Sequence, residues 1–148
     1  MIRKTAEIEI SELRKRLRVA IDQSRRAAAD RRTQQDAASA AYATFIEDTA
    51  APLAHMLSNA LRAEGYQFTV FTPNGGLRMA LAKSADDFIE FVLDTSQDEP
   101  FVALRVNRSR GRRVMQHERP VARKAPDQLT EEDVVRALLE EIGPFVER

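Results

Sequence analysis

A cluster of arginines near the C-terminal end of the chain is the feature best suited to bind an anion. Residues 105–124 carry eight basic side chains and one acidic one, and four arginines surround a single predicted hairpin tip. The planar guanidinium fork grips phosphate and carboxylate oxygens in pairs, so such a hairpin could straddle a nucleic-acid backbone. The candidate contacts for phosphate or nucleic acid are Arg108, Arg110, Arg112 and Arg113.

The same cluster has a structural interpretation. No aromatic residue occurs between Arg105 and Lys124, so the base-stacking side chains of many nucleic-acid surfaces are missing there. The basic block could instead form a solvated sheet edge, or a layer of ion pairs against the acidic segment 131–141.

Acidic residues could bind Mg²⁺ or transfer a proton, and the pair Asp86-Asp87 is the first candidate. A nuclease-like cluster would want a lysine close behind the acids, but Lys83 precedes them and none follows on the same predicted strand. We therefore interpret these acids, together with Glu90, Asp94, Asp98 and Glu99, as structural residues of turns and of an outward strand face.

The two histidines and one glycine pair complete the search for a reactive site. Neither His55 nor His117 has a spaced partner in the sequence, so both are expected to be single surface or half-buried residues. Gly75-Gly76 lacks the Gly-Lys-Ser/Thr of a phosphate-binding loop and is typical of a turn. We assign no catalytic, cofactor-binding or metal-binding residue and predict no cofactor. An enzyme would need a site assembled from distant residues such as His117, Glu118 and Asp94.

Composition bounds the class of protein. The 148 residues suit one domain with an appendage, and 43% hydrophobic and 31% charged residues are typical of a folded chain. The absence of cysteine excludes disulfides, a thiol nucleophile and a thiolate zinc site. No apolar run reaches the roughly 18 to 20 residues that span a bilayer, and no secretory apolar region follows Met1. We expect a soluble cytoplasmic protein.

Charge is segregated although the formal net charge is zero. Residues 1–32 and 105–124 are net basic, whereas residues 33–104 and 125–148 are net acidic. Such blocks can pair within one chain, pair between chains or face a charged partner, and the sequence alone leaves these three possibilities open.

A long helix is predicted in the N-terminal third of the chain. Glycine and proline are absent from Glu12 to Ala51, and the composition favours helix strongly. A heptad-like stripe runs from Leu13 to Phe45, apolar at both ends and polar in the middle. A continuous helix of about 40 residues, roughly 60 Å long, is preferred over a hairpin turning near Asp30–Asp36. The predicted oligomer-interface residues are Leu13, Leu17, Ala20, Ala27, Ala38 and Phe45.

The ends of this helix are less sharply defined. Ile2 to Ile10 alternate in a strand-like way but could equally be a frayed helix start, and Ser11 is a plausible N-cap. Pro52 should break or kink the helix, with Asp48 or Thr49 capping a second one that ends at Gly65.

From Tyr66 onwards the hydrophobic period changes to two, which indicates strands. Short links favour an antiparallel meander, and Pro120 suits an edge strand or a strand end. The predicted turns are 73–76, 84–87, 95–100 and 108–111, and they separate five strands at 66–71, 77–81, 88–93, 101–106 and 114–121.

A last helix over 130–142 completes the fold, with Thr130 and Asp133 as a capping box. We predict an α+β fold with a long N-terminal helix, a second helix, a five-stranded antiparallel meander, and a C-terminal helix packed on one sheet face. The predicted domains are residues 1–51, a helix for oligomerisation or partner binding, and residues 52–148, a compact α+β domain.

Two functional hypotheses follow. The first is a non-catalytic interaction or adaptor subunit whose long helix pairs with itself, as a dimer, or with a helical protein partner. The second is a nucleic-acid-associated protein that uses the arginine-rich hairpin. No membrane partner is expected.

Overall fold

A computed structural model of the chain describes residues 7–147. It has the α+β architecture that the sequence predicts, with a long N-terminal helix, a second helix, a five-stranded antiparallel sheet and a C-terminal helix. Most of the alternating segment Ile2–Ile10 lies outside the described residues, so its predicted strand or frayed helix start stays a prediction.

Helix α1 runs from Ile10 to Phe45 without a hairpin, as preferred from the sequence. The prediction of Ser11 as its N-cap is wrong. The backbone amide of Leu13 already donates to the carbonyl oxygen of Glu9 at 3.0 Å, so the first helical turn forms before Ser11.

Helix α2, Ala51–Ala63, is joined to α1 by a π-helical turn over Ile46–Ala50. The predicted cap by Asp48 or Thr49 is wrong, because the residue before α2 is Ala50 in helical geometry, with no side-chain cap. Pro52 has no amide hydrogen to give to the preceding turn, and π turns and prolines are both recognised sites of helix distortion. The helix therefore changes its winding before Pro52 instead of stopping there.

The sheet is a five-stranded antiparallel meander in the order β1-β2-β3-β4-β5, as predicted. Pro120 is the last residue of an edge strand, which also agrees with the sequence. The strands are β1 Phe68–Phe71, β2 Leu77–Leu81, β3 Ser84–Asp94, β4 Phe101–Arg110 and β5 Arg113–Pro120.

Two predicted turns are placed differently in the structure. The segment predicted as a turn at 84–87 belongs to β3, because Leu81 pairs with Ser84 and only Ala82 and Lys83 make the turn. Strand β4 likewise continues to Arg110, which pairs with Arg113 across a two-residue turn that contains Gly111 at φ +64°. Both strands are therefore longer than their apolar residues indicate.

The core lies on one face of this sheet. Helix α2 contributes Ala54, and α3, Glu131–Ile142, contributes Val134 and Leu138 to the buried cluster that contains Leu77 and Phe91 of the strands. The predicted packing of the last helix on one sheet face is confirmed, and α2 packs into the same core. A capping box also forms as predicted, with the Asp133 amide donating to Thr130 Oγ1 at 3.2 Å and the Thr130 amide to Asp133 Oδ2 at 3.0 Å.

The chain divides into two compact units, the first ending at Gln34 and the second beginning at Gln35. Helix α1 therefore contributes residues to both units. The predicted functional boundary between residues 51 and 52 stays a prediction.

Candidate functional site

The first part of helix α1 exposes its large apolar side chains. Ile10 is 70% exposed, Leu13 57% and Leu17 56%, and these residues lie three and four positions apart, on one face of the helix. Ala20 and Ala27 continue the same face and are also exposed. We call these five residues the α1 stripe. Among residues 7–34 every side chain is exposed except that of Ala28, which is half-buried.

The C-terminal end of the predicted stripe is buried, unlike its N-terminal end. Ala38 and Phe45 are buried within the second unit, and the Phe45 ring meets the edge of the Phe91 ring with centroids 6.0 Å apart. Both predicted interface residues are thus covered within the chain, Phe45 as a member of the core cluster, and their role in an interface stays a prediction. The remaining candidates Leu13, Leu17, Ala20 and Ala27 belong to the α1 stripe.

The arginine-rich hairpin between β4 and β5 presents its four candidate residues in different environments. Arg108 is half-buried with its guanidinium 5.7 Å from the centroid of the Phe145 ring. Arg110 reaches Glu147 at 3.9 Å between two well-exposed side chains, a weak contact. Arg112 and Arg113 at the tip are exposed, and neither forms an ion pair with another of the described residues 7–147.

Other residues of the basic block pair with acids of the second unit. Arg119 pairs with Glu140 and, at 3.6 Å, with Glu141, both on helix α3. Lys124 Nζ donates to Asp133 Oδ2 at 2.8 Å at the start of the same helix. The ion-pair layer against the acidic segment 131–141, one of the two sequence interpretations, is therefore present.

The histidines and acids that could have formed a reactive site have structural partners or lie apart. His117 Nε2 contacts Glu141 Oε2 at 2.8 Å, whereas the neighbouring Glu118 points to the opposite face of β5 and pairs with Arg105 at 2.7 Å. Asp94 accepts the backbone amide of Ser96 at 2.9 Å in the following loop. The structure does not bring His117, Glu118 and Asp94 together.

The acidic pair Asp86-Asp87 is tied to strand β4. The Asp86 carbonyl oxygen accepts the amide of the Asn107 side chain, and Asp87 Oδ1 accepts both the amide and the hydroxyl of Ser109. His55 is an exposed residue of α2. No group of three or more metal-binding side chains occurs within the described part of the chain.

A ladder of alternating charge crosses the sheet on the face opposite the core, and sequence reasoning missed it. Arg78 of β2 is in register with Glu90 of β3, Glu90 with Arg105 of β4, and Arg105 with Glu118 of β5. Arg78 Nη2 donates to Glu90 Oε2 at 2.7 Å, and its guanidinium lies 3.9 Å from the centroid of the Phe88 ring. Only the strand register, which the sequence does not specify, would have revealed that these charges are neighbours.

Burial and hydrogen bonding shift the pKa values of Tyr42 and Asp133 strongly. Burial, with a smaller contribution from the charge of Glu90, raises the pKa of Tyr42 to about 12, and its hydroxyl donates to the Phe91 carbonyl oxygen at 3.0 Å. The hydrogen bond from Lys124, followed by the Thr130 amide, lowers the pKa of Asp133 from 3.8 to about 2. Both groups keep fixed protonation states near neutral pH and act as structural anchors.

Comparison with protein families, with curated protein sequences and with solved structures finds no match to this chain. Among the helices of the described residues, none combines the length and apolar character needed to cross a membrane.

Proposed function

We propose that this protein is a non-catalytic interaction or adaptor subunit that acts in the cytoplasm. Helix α1 forms a coiled coil through its N-terminal half, either with a second copy as a homodimer or with a helical protein partner. The α+β unit then serves as the head that the helix brings into an assembly.

The observation that carries this proposal is the exposure of the α1 stripe. Its three large members, Ile10, Leu13 and Leu17, are each more than half exposed, whereas the equivalent positions Ala38 and Phe45 are buried in the second unit. An amphipathic helix normally buries its apolar stripe against another element, and this half of the stripe has no cover within the described residues.

The size of the stripe sets the strength of the association. Covering a half-exposed Leu or Ile contributes roughly 1 kcal/mol, so three such residues on each of two helices contribute about 6 kcal/mol before the smaller residues are counted. Association itself costs at least about 4 kcal/mol in lost translational and rotational freedom. The net affinity is therefore modest, and we expect pairing that depends on protein concentration.

An affinity-capture experiment tests the proposal. The wild-type chain and the variant Leu13→Asp/Leu17→Asp are immobilised, and captured proteins are identified by mass spectrometry. We expect the wild type to retain a second copy or a helical protein that the variant loses, because two buried carboxylates are incompatible with an apolar seam.

The matched control is Lys15→Asp/Arg18→Asp, which introduces the same side chains on exposed positions of the helix outside the stripe. This control should retain the captured protein. Identical captured proteins for the wild type and the stripe variant would contradict the proposal.

A second candidate function, association with nucleic acid, is supported by one observation. Arg112 and Arg113 at the tip of the β4–β5 hairpin are exposed and lack a resolved ion pair within residues 7–147. Binding would weaken steeply with salt as counterion release is lost, and replacing Arg110, Arg112 and Arg113 by alanine should abolish it. We favour the helix-pairing proposal because acids of the second unit already neutralise Arg105, Arg119 and Lys124.

A further inference from the structure

The residues beside the α1 stripe distinguish one orientation of a paired helix from the other. With Ile10 at heptad position a and Leu13 at position d, Leu17 falls at a, and Ala20 and Ala27 at d. These positions form the seam of a two-stranded coiled coil, whereas positions e and g flank it and set partner choice and orientation through their charges. The flanking side chains are all exposed or half-buried, so they are available for this role.

A parallel, in-register pair of two copies brings opposite charges together at the start of the helix. Glu9 falls at g and Arg14 at the following e, which are facing positions in a parallel pair. By symmetry the contact between Glu9 of one copy and Arg14 of the other occurs twice. At the next two e positions Ile21 and Ala28 are apolar and widen the seam.

The parallel arrangement also accommodates the first charged seam residue. Arg31 falls at position a and inserts into a hole formed by four residues of the facing helix. One of those four is the g residue directly before the facing a position. That g residue is Asp30. Each Arg31 therefore meets Asp30 of the other copy, and the like charges of the two Arg31 side chains are offset.

An antiparallel pair of two copies lacks these compensations. Aligning Leu13 with Leu17 of the other copy keeps the large apolar residues together, but e then faces e and g faces g. Arg14 would lie opposite Arg14, and Arg16 opposite Arg16. Like charges at facing positions disfavour this orientation.

We propose that the occupant of the α1 stripe is a second copy of this chain, paired in parallel and in register over residues 10–31. This inference rests on the proposed function, since it names the partner of the same helix.

Disulfide cross-linking of the full chain tests the orientation. The protein has no cysteine, so a single introduced thiol reports only its own position. In a parallel pair the two Leu13→Cys thiols share one seam layer, within the roughly 4.4–6.8 Å Cα separation that a disulfide requires. At about 1 mM protein, where even a modest affinity begins to populate the pair, we expect oxidation on the order of tenfold faster than for the control Lys15→Cys on the outer face, because pairing holds the two thiols in one layer.

A mixture of Leu13→Cys with histidine-tagged Leu17→Cys separates the two orientations, since the tag distinguishes mixed dimers by size. The parallel pair yields mostly dimers of identical variants. Mixed dimers as the main product would establish the antiparallel pair and overturn the inference, while leaving the proposed function intact. Cross-linking no faster than the control would also overturn the inference, and the capture experiment would then decide whether a different helical protein occupies the stripe.

The charge of Arg14 supplies an independent readout. In the parallel pair Arg14→Ala removes two attractions to Glu9 and should weaken self-association about two- to fivefold. In the antiparallel pair the same substitution removes a repulsion and should strengthen self-association. A strengthened dimer would therefore overturn the parallel arrangement, and sedimentation at matched concentrations measures the difference.

Discussion

At the scale of single residues, the ion pair between Arg78 and Glu90 is the most deeply placed charge contact of the open sheet face. The Glu90 side chain is 9% exposed and that of Arg78 28%, whereas Arg105 and Glu118 at the other end of the ladder are 48% and 45% exposed. A pair with little access to water loses much more when one partner is removed than an exposed pair does.

This contrast predicts unequal effects of two matched substitutions. Glu90→Ala leaves the Arg78 guanidinium without its carboxylate and should lower the free energy of unfolding by about 2 kcal/mol. Glu118→Ala removes a carboxylate from a solvated pair and should cost at most about 1 kcal/mol. Urea unfolding monitored by circular dichroism measures both, and equal losses would contradict the account of the ladder.

The carboxylate of Asp133 predicts a pH dependence of stability. Its pKa falls from 3.8 in the unfolded chain to about 2 in the folded protein, so the folded state favours the ionised form. The resulting stabilisation is fully present above about pH 4 and is lost as the pH falls towards 2.

Asp133→Asn should abolish this contribution at neutral pH. We expect the difference in unfolding free energy between wild type and variant to shrink as the pH is lowered from 4 to 2. The control Glu132→Gln removes an exposed carboxylate of the same helix turn that contacts Arg136 at 3.5 Å, and at neutral pH it should cost less stability than Asp133→Asn. A wild-type-to-Asn difference that stays constant over this range would contradict the role of Asp133.

At the scale of elements, helix α1, strand β2 and strand β3 meet closely at Gly76. A Cβ atom at this position would lie 2.9 Å from the Phe91 carbonyl oxygen and 3.4 Å from the Tyr42 hydroxyl. The Tyr42 hydroxyl donates to that same carbonyl oxygen, so a side chain at Gly76 would push against both partners of one hydrogen bond.

Gly76→Ala should therefore destabilise the protein by about 1–3 kcal/mol, the usual cost of overpacking. Thermal unfolding of the wild type and the variant measures the loss, and a Gly76→Ala protein as stable as the wild type would refute the close approach.

The sequence predicts these elements better than it predicts their contacts. Helix α1 follows from forty residues without glycine or proline, and the meander follows from period-two segments with short links. The turn predicted at 84–87 was wrong because polar residues such as Asp86 and Asp87 resemble a turn, yet in β3 they bind Asn107 and Ser109 of the neighbouring strand. Tertiary hydrogen bonding overrides local propensity at such positions.

The candidate site shows the same limit. A heptad stripe is visible in the sequence from Leu13 to Phe45, but nothing local distinguishes Leu17, which is exposed, from Phe45, which is buried. That difference depends on which part of the helix lies on the sheet. The partners of the arginine block were likewise undetermined, because Arg119 and Glu140 are brought together only by the packing of α3 on the sheet.

At the scale of the whole molecule, the two units differ in how many of their apolar and charged side chains find partners within the chain. The second unit has an extensive buried core, and Arg105, Arg119 and Lys124 of its basic residues 105–124 pair with its own acids. Residues 7–34 of the first unit contain the exposed α1 stripe and no fully buried side chain. Under the proposed function, the first unit is the part of the chain that associates and the second is the folded head.

Sedimentation equilibrium of the wild-type chain over a range of micromolar to millimolar concentrations tests this claim most directly. We expect a weight-average mass that rises from the 16.7 kDa of one chain towards twice that value, and a Leu13→Asp/Leu17→Asp variant that stays at 16.7 kDa. A wild-type mass of one chain at every concentration, together with no helical protein retained in the capture experiment, would contradict it.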